Sequence, residues 1–262
     1  STTITSHQGY MVFIKGDRTV PVTSTTPAVT VLRSRGAILT GRRRALFAYS
    51  NNASDTKFRV VGNPYPSAIN FHTTTKSPAI GDKYYMWDPQ LGGQNGFGAY
   101  VTFLWNSTNG NYDRTLTSGS GFAGSLSNNG TIESGSAFFI QMGTTTDSII
   151  FNETDKVSTS SSSPFGKPTG ASTTLCKQIR TNLISINTDG SSYPSDGTLI
   201  TYDQRNSNSV DVNDALKFGT SSEGLSINNQ NQLLAIERRA ELTARDTIFF
   251  RINQMKQKNY QL

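Results

Sequence analysis

The stretch Ser136-Ala137-Phe138-Phe139-Ile140-Gln141-Met142-Gly143 sets Ser136, Phe138, Ile140 and Met142 against Ala137, Phe139, Gln141 and Gly143, with a period of two. A helix repeats every 3.6 residues and scatters such a pattern around its circumference, whereas a strand sends alternate side chains to opposite faces. The same period runs through Tyr10, Val12 and Ile14, and through Ile248, Phe250 and Ile252. Each reads as a strand with one face inward. Between such runs lie turn clusters: residues 50–55, Asn109-Gly110-Asn111, Ser127-Asn128-Asn129-Gly130 and Asp189-Gly190-Ser191. There Asn and Gly supply the positive φ that tight hairpins need. Many short strands separated by frequent turns predict an all-β protein made of β-sandwiches of jelly-roll or immunoglobulin-like type. One segment, Gln232 to Leu242, also fits a short helix, although Leu234 and Ile236 suit a strand equally well.

The chain has 262 residues, which accommodates one large all-β domain or two ordinary ones. Charged residues are 16% of it, against a norm of about 25%, so its polarity comes from hydroxyls and amides, which argues against coiled coils and helical bundles. A single cysteine excludes an internal disulfide, and the apolar runs fall far short of the ~20 residues of a membrane helix, so no membrane insertion is expected. The net charge of +6 invites a nucleic-acid partner. Its distribution does not support one: only Arg33, Arg35, Arg42, Arg43 and Arg44 form a dense group, and no recognition helix or aromatic RNA-binding motif accompanies them.

From residue 158 to 173 the chain is rich in Ser, Pro and Gly without an apolar face, and it reads as a linker. The expected organisation is an N-terminal sandwich over 1–157, the linker over 158–173 and a C-terminal sandwich over 174–262. The second is small for an immunoglobulin-like domain, and its last expected strand ends near Ile252 before a polar tail, so it is expected to lack its final strands.

Catalytic constellations are missing from the sequence. His7 and His72 have no His or Cys at metal-ligand spacing, Cys176 reads as a small apolar core residue, and no nucleophile elbow or phosphate loop is present. Asp82, Asp88 and Asp113 lie near aromatic residues, but nothing in the sequence sets two of them at the separation glycoside hydrolysis needs. Asp211, Asn213 and Asp214 alternate like the first ligands of a calcium loop. They lack the central Gly and distal Glu of an EF-hand and read as a surface turn. No catalytic residue, metal or cofactor is expected. Tyr85, Trp87, Tyr100 and Trp105 are the ligand candidates, because flat aromatic faces beside amides and carboxylates stack on and hydrogen-bond to pyranose rings. The competing reading places these rings in a core short of aliphatic residues.

The run Phe58-Arg59-Val60-Val61-Gly62-Asn63-Pro64-Tyr65-Pro66-Ser67, then Tyr84 to Asp88, then Gly135 to Ile140, resembles a series found in large secreted and cell-surface proteins of Bacteroidota. Asp211 to Lys217, Leu225 to Ile227, Leu233 to Arg239 and Asp246 to Ile252 resemble the segment that follows in those proteins. The resemblance implies export by the type IX secretion system and an extracellular or cell-surface location, and it supplies no catalytic residues. Those proteins carry a separate C-terminal sorting domain, often after adhesin-like repeats; this sequence shows none, which is read as a processed or partial chain. Asp147-Ser148-Ile149 and Asp246-Thr247-Ile248 resemble the O-glycosylation sites of that setting, at Ser148 and Thr247. Gly62, Asn63, Pro64 and Pro66 read physically as a rigid corner, with Asn63 capping its own turn. The expected function is a non-catalytic structural or adhesive module of a larger bacterial surface assembly. Its partners would be other protein chains or domains, received by strand addition at the C-terminal domain. A carbohydrate-binding module that captures polysaccharide is the alternative.

Overall fold

The computed structural model describes residues 8–12, 19, 36–52, 55, 57–88, 98–116, 129–157, 177–219 and 223–262. Among them, every regular element longer than a single 3-10 turn is a strand, so the protein is all-β. The first half holds β1 (Arg43–Phe47), β2 (Phe58–Gly62), β3 (Ile69–Asn70), β4 (Thr75–Lys76), β5 (Lys83–Asp88), β6 (Ala99–Asn106), β7 (Asn111–Arg114), β8 (Thr131–Ile132), β9 (Ala137–Gln141) and β10 (Asp147–Phe151). The second half holds β11 (Gln178–Ile186), β12 (Ser192–Tyr202), β13 (Ala215–Leu216), β14 (Gly224–Asn229), β15 (Gln232–Arg239), β16 (Phe250–Asn253) and β17 (Asn259–Gln261).

Two antiparallel sheets of the first half, β1-β10-β4 and β2-β9-β5-β6-β7, pack around one core, with β3-β8 beside them. Phe47, Ile149 and Phe151 come from the smaller sheet, and Val61, Tyr84, Phe103, Phe138 and Ile140 from the larger. Phe138 and Ile140 are buried as the period of two requires, and each such side chain contributes about 1.5–3 kcal/mol by leaving water. The corner after β2 is tied by Asn63: its Oδ1 accepts the N–H of Tyr65, and its Nδ2 donates to the carbonyls of Ser67, Ile132 and Glu133. Tyr65 in turn donates its hydroxyl to the carbonyls of Gly41 and Phe151, joining the corner to the smaller sheet.

Residues 178–261 place their strands in one sheet, ordered β16-β14-β15-β12-β11-β17 with β13 on β15, and not in two facing sheets. The pairing is antiparallel except between β12 and β15, where Leu199 faces Ile236 in parallel register. The sheet must be strongly curled. Six strands laid flat would hold β16 and β17 about 24 Å apart, yet residues 254–258 alone join them and reach only about 20 Å when fully extended. Glu223, just before β14, is reached by side chains from the β17 end, so that end curls over toward β14 and leaves the outer edge of β16 unpaired among the described residues. The Glu223 carboxylate accepts a hydrogen bond from Tyr260 (3.0 Å) and lies 2.7 Å from Lys258 Nζ.

Several strand expectations need correction. Tyr10 to Val12 are exposed and outside any strand, and Ile14 lies outside the described residues. Gln232 to Arg239 is a strand, since Leu234, Ala235 and Ile236 are all buried between sheet neighbours and helical propensity yields to that packing. The polar tail after Ile252 contains β17, which pairs with Ile184 to Ile186, so the sheet continues past the point where its last strand was expected. The linker 158–173, His7 and Cys176 lie outside the described residues.

Candidate functional site

The four candidate aromatic side chains do not form a row. In β6, Tyr100 and Trp105 are five residues apart and therefore face opposite sides of the five-stranded sheet. Trp105 turns to the core side, across from Tyr112, with the His72 imidazole stacked on it at 3.7 Å. Tyr85, Trp87 and Tyr100 share the outer side, but Tyr85 is fully buried and the Trp87 and Tyr100 rings cross at 73°. The four rings therefore present no common flat face on which a sugar ring could stack.

The outer face is covered by the same chain. Phe218, two residues beyond β13, lies 4.5 Å from Tyr100 and 4.7 Å from both Phe58 and Phe139, centroid to centroid. The Tyr85 hydroxyl donates to the carbonyl of Leu216 (3.1 Å). Aromatic residues in this stretch thus join the sheets of the first half to the curled sheet.

Polar contacts complete that junction. Lys83, in line with Tyr85 and Trp87 on β5, is buried and donates to the carbonyls of Asp214 (2.9 Å) and Val212 (3.4 Å). Arg238 donates to the Trp105 carbonyl (2.8 Å) and pairs with Asp113 (3.1 Å), and Arg180 donates to the Thr115 carbonyl (2.7 Å). Burial pushes the Lys83 ammonium down to about 8, against the pull of Asp214 and Asp211. Burial likewise raises Asp214 to about 6, opposed by the N–H groups of Arg238 and Asp211 that its carboxylate accepts. The turn of Asp211, Asn213 and Asp214, expected at the surface, thus has its Asp214 buried and is closed by the protein's own donors, and among the described residues no group of three His, Cys, Asp or Glu is placed to hold a metal.

The Asp214 carboxyl binds its proton more tightly in the folded than in the unfolded chain, so the folded state gains protons as pH falls through about 6 toward the ordinary value of 3.8. On this group's account, stability rises over that interval. Thermal melts at pH 7 and 5 should show the wild type gaining relative to Asp214→Asn, which does not titrate. Equal pH slopes for the two proteins would contradict the assignment.

A cleft of about 720 Å³ opens at the rim of the junction, with Trp105, Asn106 and Thr108 on one side and Asp203, Arg205 and Arg238 on the other. Its charges neutralise one another: Asp203 pairs with Arg205, Lys177 with Glu241, and Asp82 with both Lys76 and His72 Nδ1 (2.8 Å each). The His72–Asp82 pair orients an imidazole, but the ring is spent on stacking against Trp105.

The free edge of the curled sheet has a different character. Asn228 N–H donates to the Phe249 carbonyl (2.7 Å), and antiparallel ladders bond alternate residues, so the Ser226–Arg251 pair bonds as well. The N–H and C=O groups of Phe250 and Ile252 consequently point away from β14. Their side chains extend the row begun by the buried Leu225 and Ile227, yet remain 38% and 39% exposed. The expectation that this strand turns one face fully inward fails because nothing among the described residues lies beyond it. Of the two candidate glycosylation sites, Thr247 is exposed and outside the strand, whereas Ser148 sits within β10, the middle strand of its sheet.

A family model described as a domain of unknown function, DUF8693, matches residues 1–262, and the chain belongs to that family. No curated protein and no solved structure matches it.

Proposed function

We propose that this DUF8693 chain is a non-catalytic structural or adhesive module of a larger extracellular assembly on a bacterial surface, and that it joins its neighbours by accepting a strand along β16. The observation that carries this reading is the coincidence, at Phe250 and Ile252, of outward backbone groups with half-exposed apolar side chains. An added strand satisfies both at once: the ladder gains main-chain hydrogen bonds and the rim of the core is covered. The junction supports a mechanical role, because Phe218, Lys83 and Arg238 hold the two halves together through buried contacts. Polysaccharide capture by Tyr85, Trp87, Tyr100 and Trp105 loses its support with the aromatic row.

The test is Ile252→Pro, which deletes an outward N–H and no bond to β14, a substitution that edge strands tolerate. In the source cells, the wild type should cross-link into a high-mass surface complex, whereas the variant should fold, by circular dichroism, but no longer enter it. His72→Ala should enter it normally. A folded Ile252→Pro protein that still joins the complex would sink the reading.

A further inference from the structure

We infer that the strand received by β16 is acidic, with apolar residues against Phe250 and Ile252 and carboxylates on the alternate face; this rests on the strand-addition reading above. Arg251 lies between those two apolar side chains and points to the other side of the strand. Among the described residues the ion pairs do not engage Arg251, Arg245 or Lys256. The acids of the same region are already committed. Asp246 accepts the Thr243 N–H, Glu223 holds Lys258 and Tyr260, and Glu241 pairs with Lys177. On β16 itself the one charged side chain is that of Arg251, and the ion pairs of the described residues leave it unpaired.

Residues directly opposed on one face of an antiparallel pair come within about 4.5–5.5 Å, so a carboxylate opposite Arg251 reaches it and a second cation is repelled. That geometry also disfavours the simplest alternative occupant, a second copy of β16. Two copies of β16 paired about a two-fold axis at residue 251 would set Arg251 against Arg251, a like-charge contact that disfavours association. The edge thus combines an apolar seat that attracts a strand with a charge that selects which strand is admitted.

Fluorescence anisotropy with two labelled peptides, one alternating valine with glutamate and one valine with lysine, tests this on the full chain. The glutamate peptide should bind about fivefold more tightly per opposed charge, with a preference that shrinks at high salt. Arg251→Glu should reverse the preference, and Ile252→Pro or the milder Ile252→Lys should abolish binding of both peptides. Equal binding of the two peptides to the wild type, lost in the Ile252 variants, overturns the acidic assignment while leaving strand addition standing. Binding of neither peptide overturns both, and binding indifferent to the Ile252 variants places the peptide elsewhere and overturns the inference.

Discussion

Asp196→Ala is expected to lower the unfolding free energy by about 3–5 kcal/mol, the range for breaking a buried ion pair from one side. Asp196, on β12, is almost wholly buried. One carboxylate oxygen accepts from Lys217 Nζ and the Gly197 N–H, and the other accepts the Leu225 N–H (2.7 Å). This one group therefore ties β12 to the start of β14 and to the segment after β13. Truncation strands a nearly buried ammonium and two backbone donors, each of which loses its partner without regaining water. Lys217→Met should cost less, since the carboxylate keeps both backbone donors. Urea titrations of the two variants decide it: a loss below about 1 kcal/mol for Asp196→Ala would mean that water replaces the carboxylate.

Phe218→Ala should cost about 3 kcal/mol, the lower part of the range for removing a packed aromatic side chain, because Phe218 is half-buried. Its larger effect is on cooperativity. Phe218 touches Phe58, Tyr85, Tyr100 and Phe139, and removing it leaves the junction with its polar contacts around an unfilled centre. Calorimetry should show the single wild-type transition splitting in two, and Phe218→Leu should restore much of the coupling. A variant that melts in one transition at the wild-type temperature would show that Lys83, Arg180 and Arg238 suffice to unite the halves.

The all-β fold and strands such as β9 were legible because local alternation suffices to write them. The sequence also held the means to choose between the two readings of the aromatic residues: an odd spacing between Tyr100 and Trp105 already puts them on opposite faces. Lys83, in register with Tyr85 and Trp87, was a second signal, since a lysine on an aromatic face needs acceptors that only another part of the chain supplies. Phe218 gave no signal, because its partners lie far away along the chain and nothing local distinguishes it. The same holds for β17, whose polar residues gain their strand from pairing with β11 and from the bonds of Tyr260 and Lys258 to Glu223.

The parallel contact of β12 with β15 has a consequence for the order in which the chain acquires its shape. The hairpins β11–β12 and β14–β15 close through short turns, the second across Gln230 and Asn231 in left-handed backbone. Such local pieces form early, whereas a parallel pairing waits for the loop-closure entropy of everything between its strands. Until β12 and β15 dock, the sheet is in two pieces, β11–β12 on one side and β14–β15 with β13 and β16 on the other, and the edges of β12 and β15 that will meet are still open to pairing with the wrong chain. Pulse-labelling hydrogen exchange during refolding should accordingly protect the amides of the two hairpins before those that bridge Leu199 and Ile236. Exposure to misassembly is thus set by the time the two ribbons take to find each other, and a cell that makes this protein must cover that interval by speed or by a chaperone.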